Sequence, residues 1–212
     1  MSNNKNANQG SGQNQAPKGG NSSKQFEKNP GLPPTAKLTY MAAMAAVSIF
    51  LVLTIRIKFF PAAPFLEYSP GDVPMILASF LFGPISGFIL TVVACVIQGI
   101  TVSADGGPIG IFMHVAVLTA YVIPAGIIIR KKHSTPWLIF GAVVGIISAV
   151  VIALILNYFV TPIYMKVPTE AVVGLILPAL LPFNLLQYSL NSFLALALYP
   201  LVRMAVLKYK RK

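Results

Sequence analysis

The feature that most restricts how this chain can fold is the scarcity of charge across a long apolar region. From Leu38 onward the acidic residues are only Glu67, Asp72, Asp105 and Glu170. The whole chain is 56% hydrophobic and 10% charged, whereas a typical soluble domain carries about 25% charged residues. So few charges cannot cover a water-exposed surface of this size. The region is therefore predicted to lie in a lipid bilayer.

Apolar runs divide this region into candidate transmembrane helices. A helix needs roughly 20 residues to cross the hydrocarbon core. The second run is short for a crossing and is expected to be tilted, packed against protein or extended at its ends, and a turn is expected at Gly83-Pro84. The six runs are 38–60, 73–82, 85–102, 109–129, 137–160 and 183–207. The predicted fold is an all-α membrane protein, a six-helix transmembrane bundle.

Two connections of this bundle have their own predicted structure. The 1–2 loop reads FFPAAPFLEYSPGDVP, and its prolines make it stiff. Its aromatic residues are interpreted as a lid or stacking surface for a planar ligand, or alternatively as an interfacial aromatic belt. In the 5–6 connection, residues 171–181 are apolar but too short to span, and prolines bound and interrupt them. This stretch is interpreted as a short surface or re-entrant helix.

Residues 1–36 differ in kind from the rest of the chain. They are rich in Asn, Gln, Gly, Ser and Pro and nearly free of aliphatic side chains. Such a segment buries too little apolar area to offset the entropy of ordering, so we predict a disordered tail. The predicted organisation is this tail followed by one transmembrane domain, residues 37–212.

The distribution of basic residues predicts the orientation. If the N-terminus is cytoplasmic, the 4–5 loop and the C-terminus also face the cytoplasm. The 4–5 loop and the C-terminal segment then hold eight Lys and Arg residues and the outer segments hold three, while all four acids fall outside. This bias agrees with the positive-inside rule. The prediction is a multi-pass cell-membrane protein with both termini in the cytoplasm. The net charge of +11 is explained by these flanks, and no nucleic-acid surface is expected.

Neutral amides are the most informative polar residues in the predicted helices. Asn184, Gln187 and Asn191 stand at i, i+3 and i+7 and share one face of helix 6. Asn157 lies near the outer end of helix 5. These residues predict a hydrogen-bonding cluster in the outer half of the bundle, which suits a ligand with donors, acceptors and little charge. The alternative is that the amides satisfy each other or backbone carbonyls. No carboxylate or arginine is expected inside the bundle.

Other candidates and motifs give weaker or negative signals. His114 and Gln98 are expected to make structural hydrogen bonds, and no metal site is expected because His114 has no second ligand at suitable spacing. Ala42 and Ala46 form a small-xxx-small pair that permits close helix approach. No phosphate-binding loop or paired catalytic residues occur. The chain is therefore expected to be no enzyme and to rely on partners for energy.

Three segments together resemble a known family. They are the alanine-rich start of helix 1, FLEYSPGDVPMILASFLFGPISG and PIYMKVPTEAVVGLILPALLPFNLL. They resemble the substrate-binding S components of energy-coupling factor (ECF) transporters, above all the riboflavin-specific branch, over nearly all of residues 38–212. The resemblance implies a six-helix bundle that binds riboflavin from outside as transported ligand, without a cofactor. It also implies docking on a transmembrane coupling subunit with two ATPases.

The resemblance also implies roles for individual residues. Ala42 and Ala46 would carry the docking contact. Phe65, Leu66 and Tyr68 would match the loop contacts to riboflavin, and Asn157 and Asn184 the helix amides. Gln187 stands where the branch can carry a lysine, so it brings a donor without charge. The open alternatives are an S component for thiamine, biotin, folate or pantothenate, a channel, or an intramembrane enzyme.

Overall fold

The structure is a computed structural model that describes residues 32–58, 66–101, 107–131 and 134–210. A two-residue antiparallel ladder, β1 (Ile57–Lys58) with β2 (Glu67–Tyr68), joins the ends of the 1–2 loop. A 3-10 turn, Pro70–Asp72, leads into the second helix. The helices are α1 (Pro34–Thr54), α2 (Val73–Phe82), α3 (Pro84–Thr101), α4 (Gly107–Lys131), α5 (Thr135–Met165), α6 (Thr169–Leu175) and α7 (Leu181–Lys210).

This architecture confirms the predicted all-α six-helix bundle, since α6 and α7 form one interrupted last helix. Among the described residues, five helices are long and apolar enough to cross a membrane, and α2 is shorter. α1 begins at Pro34, a few residues before the predicted start. Proline is favoured at a first helical position because its missing N–H has no helical partner there. Phe65 and the tail residues 1–31 lie outside the described residues, so the disorder of the tail stays a prediction.

The short second helix is the centre of the bundle. Every residue from Val73 to Leu81 is buried, and α1, α3, α4 and α7 all contact it. The Ser79 hydroxyl donates to the carbonyl oxygen of Val122 at 2.6 Å, which satisfies its polar group. α2 is therefore packed against protein, which was one of the expected solutions for its length. The predicted turn follows it, where Gly83 has φ of +92°, a conformation that favours glycine.

The 5–6 connection differs from its predicted form. The short helix is present as α6, but it does not stand apart from the last transmembrane helix. A π-helical turn at Ile176–Leu180 connects it directly to α7. Pro178 lies in this turn, and the wider π geometry accommodates a residue that cannot donate to the normal helical ladder. The last helix therefore begins at Thr169 and passes through the prolines that were expected to interrupt it.

The outer faces of the long helices are apolar. Phe50 is 63% exposed, Ile147 57% and Phe193 67%. Contiguous exposure of large apolar side chains on several helices is unfavourable in water and is normal for surfaces that contact lipid. Together with the lengths of the helices, these faces support the membrane assignment.

The two ends of the bundle carry different side chains. At one end, Lys37 on α1 and Arg130 on α4 line the same groove, and the Tyr40 hydroxyl donates to Ala205 on α7 at 3.4 Å. We name this the basic end. At the other end lie the β1–β2 ladder and the 3-10 turn, and we name this the cup end. All three acids among the described residues, Glu67, Asp72 and Glu170, lie at the cup end.

Candidate functional site

A cavity of about 550 Å³ opens at the cup end. The end of α1, the β1–β2 ladder, the 3-10 turn and parts of α3, α4, α5 and α7 form its wall. It reaches the surface beside Lys58, Tyr164 and Met165, which are exposed. Pockets for small organic ligands generally measure about 300–1,000 Å³ and combine apolar walls with a few polar groups. The cavity therefore has the size of a site for a small organic molecule.

Three of the four predicted amides meet at this cavity. Asn157, Asn184 and Gln187 line it from α5 and α7. The Asn157 Nδ2 donates to the carbonyl of Ala153 at 2.8 Å, and its Oδ1 accepts from Thr161 at 2.9 Å. The Asn184 Nδ2 donates to the carbonyl of Leu180 at 2.7 Å. These bonds fix the orientation of both amides while leaving the Oδ1 of Asn184 without a described partner.

Other predicted ligand contacts lie at different depths. Leu66 lines the cavity. Tyr68 does not, because it is buried in an apolar cluster with Val172, Leu180 and Phe183 behind the wall. Tyr68 is only 7% exposed, so this aromatic is not an exposed stacking surface. Burial and the nearby charge of Asp72 raise the pKa of its phenol. Its role as a ligand contact stays a prediction.

Asn191 lies below the cavity and supports it. Its side chain is fully buried, and its Nδ2 donates to the carbonyl of Ser69 at 3.2 Å, which ties α7 to the 3-10 turn. Its Oδ1 has no hydrogen-bond partner among the described residues. The three amides of one helical face thus occupy two levels. Asn184 and Gln187 face the cavity, while Asn191 packs beneath it.

One carboxylate does lie inside the bundle, contrary to expectation. Asp72 is 3% exposed and lines the cavity. The His114 Nε2 lies 2.9 Å from its Oδ1, and the Gln187 Nε2 donates to its Oδ2 at 3.2 Å. The expectation was wrong because the 3-10 turn carries Asp72 inward at the start of the buried helix α2. The sequence signal was an acid in SPGDVP, directly before an entirely apolar helix.

His114 and Gln98 make structural hydrogen bonds as predicted, and both also line the cavity. The Gln98 Nε2 donates to Ser48 on α1 at 2.7 Å, and the Ser48 hydroxyl donates to the carbonyl of Gly71. Sequence reasoning did not assign Phe183 and Val117 to the wall, where they supply apolar surface. No spacing within one helix indicates them, because each comes from a different part of the bundle.

Charged residues stand at the mouth of the cavity. Glu67 pairs with Lys58 at 3.1 Å and with Arg56 at 3.6 Å. These side chains are 30–59% exposed, so each pair contributes little to stability. They join Arg56, just after the end of α1, and Lys58 on β1 to Glu67 on β2. The pairs hold the two ends of the 1–2 loop together beside the opening.

The outward face of α1 holds the small-residue pair. Ala42 and Ala46 are both exposed, whereas Met41, Ala45 and Ser48 face the bundle. Small residues on an outward face leave room for another helix to approach. In the described part of the chain, no three His, Cys, Asp or Glu side chains lie close enough together to hold a metal ion.

A helical membrane bundle with a cavity at one end, lined by amides and apolar side chains, has the architecture of a membrane subunit that binds a small molecule. A family model described as "ECF transporter, substrate-specific component" matches residues 36–199. The chain belongs to this family. It is therefore a membrane transport component and not an enzyme.

Similar proteins agree with this assignment. The chain is 30% identical over 168 residues to the riboflavin transporter RibU of Staphylococcus aureus, covering 76% of this chain and 86% of that protein. It is 25% identical over 161 residues to the riboflavin transporter FmnP of Bacillus subtilis, covering 71% and 83%. A solved S component of a bacterial ECF transporter superposes with a TM-score of 0.69 at 27% identity, covering 82% of this chain and 99% of that one.

Proposed function

We propose that this chain binds riboflavin in the cup-end cavity and is the subunit through which an ECF transporter takes up the vitamin. The observation that carries the proposal is the cavity wall, where fixed amides lie beside aromatic and aliphatic side chains. The similar proteins named riboflavin transporters support the choice of ligand.

Riboflavin matches the chemistry of this wall. Its isoalloxazine ring is planar, with an apolar edge and an opposite edge of imide and carbonyl groups, and its ribityl chain carries hydroxyls. Leu66, Val117 and Phe183 offer apolar area for the first edge. Asn157, Asn184 and Gln187 offer donors and acceptors for the polar groups. A buried polar group without a partner is costly, so such a wall selects ligands that satisfy it.

The orientation follows from the two ends of the bundle. We infer that the basic end faces the cytoplasm, because Lys37, Arg130 and Lys131 lie there and the positive-inside rule applies to such flanks. The cavity then opens to the outside, where a vitamin is captured. Both termini are cytoplasmic in this arrangement.

We also infer that α1 docks on the membrane subunit that couples transport to two ATPases. Ala42 and Ala46 present an outward surface of small side chains on which a partner helix can pack closely. The chain has no nucleotide-binding motif of its own. Binding therefore resides in this chain, and the energy for release comes from its partners.

The test is whether the purified chain binds riboflavin. We expect a flavin absorption band in the protein as purified, or quenching of flavin fluorescence when riboflavin is added. Thiamine, biotin, folate and pantothenate serve as competing ligands in a thermal-shift screen. Folded protein that gives neither signal at micromolar riboflavin contradicts the proposal, and a shift with one of the other vitamins identifies a different substrate.

A further inference from the structure

Asp72 is a buried carboxylate, whereas the Arg, Lys and Glu side chains of the cavity lining (Arg56, Lys58 and Glu67) stand at its mouth. It is the most buried acid among the described residues, at 3% exposure. A buried carboxylate is unfavourable unless a cation and hydrogen-bond donors surround it. The side chains that touch Asp72 therefore decide whether the interior of the cavity, below its mouth, carries a net charge.

Two side chains from two different helices hold this carboxylate. His114 on α4 reaches Oδ1 at 2.9 Å, and Gln187 on α7 reaches Oδ2 at 3.2 Å. Among the described residues, His114 is the basic side chain paired with Asp72, while Arg56 and Lys58 pair with Glu67 at the mouth. Cys95 on α3 lines the same cavity. The counter-charge of Asp72 thus comes from α4.

We propose that His114, as imidazolium, is the counter-ion of Asp72, and that this pair is a positioning device for Gln187. An ionised carboxylate only accepts hydrogen bonds, so the Nε2 of Gln187 faces Asp72 and its Oε1 is turned away as an acceptor. Asp72, His114 and Gln187, which we name the floor of the cavity, are then neutral overall. They offer the Oε1 of Gln187 as an acceptor to an N–H or O–H of the ligand. This inference rests on the proposed function for the identity of that ligand.

The geometry allows the positive charge beside Asp72 to be moved from position 114 to position 187. A lysine at position 187 is one atom longer than glutamine and ends in an ammonium, so it can reach the second carboxylate oxygen. His114→Asn should remove the cation, and Gln187→Lys should supply one from the opposite side. The two changes together restore neutrality. They do not restore the acceptor, because an ammonium only donates.

The first measurement is the thermal unfolding midpoint of the ligand-free protein in detergent. We expect His114→Asn to lower the midpoint by about 5–10 °C, because a buried charge loses its partner. The double variant His114→Asn/Gln187→Lys should regain at least half of that loss. The control is the double variant Asp72→Asn/Gln187→Lys, which has no carboxylate to pair with and should be no more stable than Asp72→Asn.

The second measurement is riboflavin affinity from fluorescence quenching. His114→Asn/Gln187→Lys should stay about tenfold or more weaker than the natural chain despite its recovered stability, since loss of one hydrogen bond to a buried ligand group costs roughly this much. A merely structural role for the pair would restore both properties together. If the double variant is no more stable than His114→Asn alone, His114 is not the counter-ion of Asp72. If its riboflavin affinity recovers to the same extent as its stability, the pair does not position Gln187 for the ligand.

One further variant covers poor folding, and the unfolding midpoints cover the case of a different ligand. If His114→Asn cannot be purified, Asp72→Asn/His114→Asn removes both charges, and its midpoint should lie above that of Asp72→Asn. An equal or lower midpoint contradicts the ion pair. If the natural chain binds no riboflavin, the proposed function fails, while the unfolding midpoints still decide whether His114 is the counter-ion.

Discussion

The same helices surround an open cavity at the cup end of this bundle and pack closely together at the basic end. At the cup end the helices separate around a cavity of about 550 Å³, with Asp72, Asn184 and Gln187 on its wall. At the basic end the helices close up, and a Cβ added to Gly126 would lie 2.5 Å from the Ser79 hydroxyl and 2.9 Å from backbone atoms of Pro84. The cavity for a ligand thus lies at one end of the long axis of the bundle, and close packing between helices lies at the other.

α4 shows this division within one helix. Gly110, near its start, lines the cavity, and a Cβ added there would meet nothing within 4 Å. Gly126, near its end, is buried where α4 contacts α2 and α3. The same helix therefore has open space around it at the cup end and close neighbours at the basic end. Each prediction below tests whether the two ends can be changed separately.

The largest expected effect is a loss of riboflavin uptake without a loss of riboflavin binding. Leucine at both Ala42 and Ala46 should abolish riboflavin uptake by cells, because the larger side chains prevent close approach of a partner helix. Riboflavin affinity of the purified chain should remain within about twofold, since both residues face away from the cavity. Uptake assays and fluorescence quenching measure the two properties. Ala43→Leu, the same change on the neighbouring exposed stripe, is the control, and normal uptake by the double variant would disprove the docking role.

A change at the cup end should weaken binding alone. Asn184→Leu removes a fixed amide from the cavity wall and leaves a polar group of the ligand unpaired, a cost of about 1–3 kcal/mol or roughly 5- to 150-fold in affinity. Titration with riboflavin measures the loss. Thr39→Val provides the comparison at the basic end, because it removes an exposed hydroxyl that bonds only to its own helix. Equal affinity in both variants would rule out Asn184 as a ligand contact.

A change at the basic end should reduce stability alone. Gly126→Ala overpacks the contact with Ser79 and Pro84, which costs about 1–3 kcal/mol and lowers the unfolding midpoint by several degrees. The matched control is Gly110→Ala on the same helix, which should be neutral or stabilising by about 0.5–1 kcal/mol. Thermal unfolding in detergent compares them. Equal midpoints would show that the basic end is no more tightly packed than the cup.

The smallest expected effect concerns pH at the cup end. Burial and the charge of Asp72 raise the pKa of the Tyr68 phenol. A raised folded-state pKa gives stability that is complete below the ordinary tyrosine value of about 10 and is lost as the pH rises through the folded-state value. The unfolding midpoint should therefore fall more steeply above about pH 10 in the natural chain than in Tyr68→Phe. Tyr158→Phe removes an exposed phenol and serves as the control, and parallel curves for the natural chain and Tyr68→Phe would contradict the prediction.

The sequence predicted the helices better than the site. Apolar runs and the Gly83-Pro84 turn located the six helices to within a few residues at most ends, because crossing lipid requires long apolar segments. The passage of the last helix through Pro178 was missed, since a π turn satisfies the backbone there in a way that composition does not indicate. Asn157, Asn184 and Gln187 were found because neutral amides are rare in membrane helices. Their shared spacing did not reveal that Asn191 lies below the cavity.

What the sequence determined by itself is the membrane fold, since scarcity of charge and the length of apolar runs depend only on local composition. The resemblance of its segments to S components added the family. What the tertiary structure alone decided is the floor of the cavity. Asp72, His114 and Gln187 are far apart along the chain and meet only because α2 is buried at the centre of the bundle. Because Asp72 is buried, its carboxylate requires a cation and hydrogen-bond donors beside it. That burial results from packing between helices, which local sequence does not show.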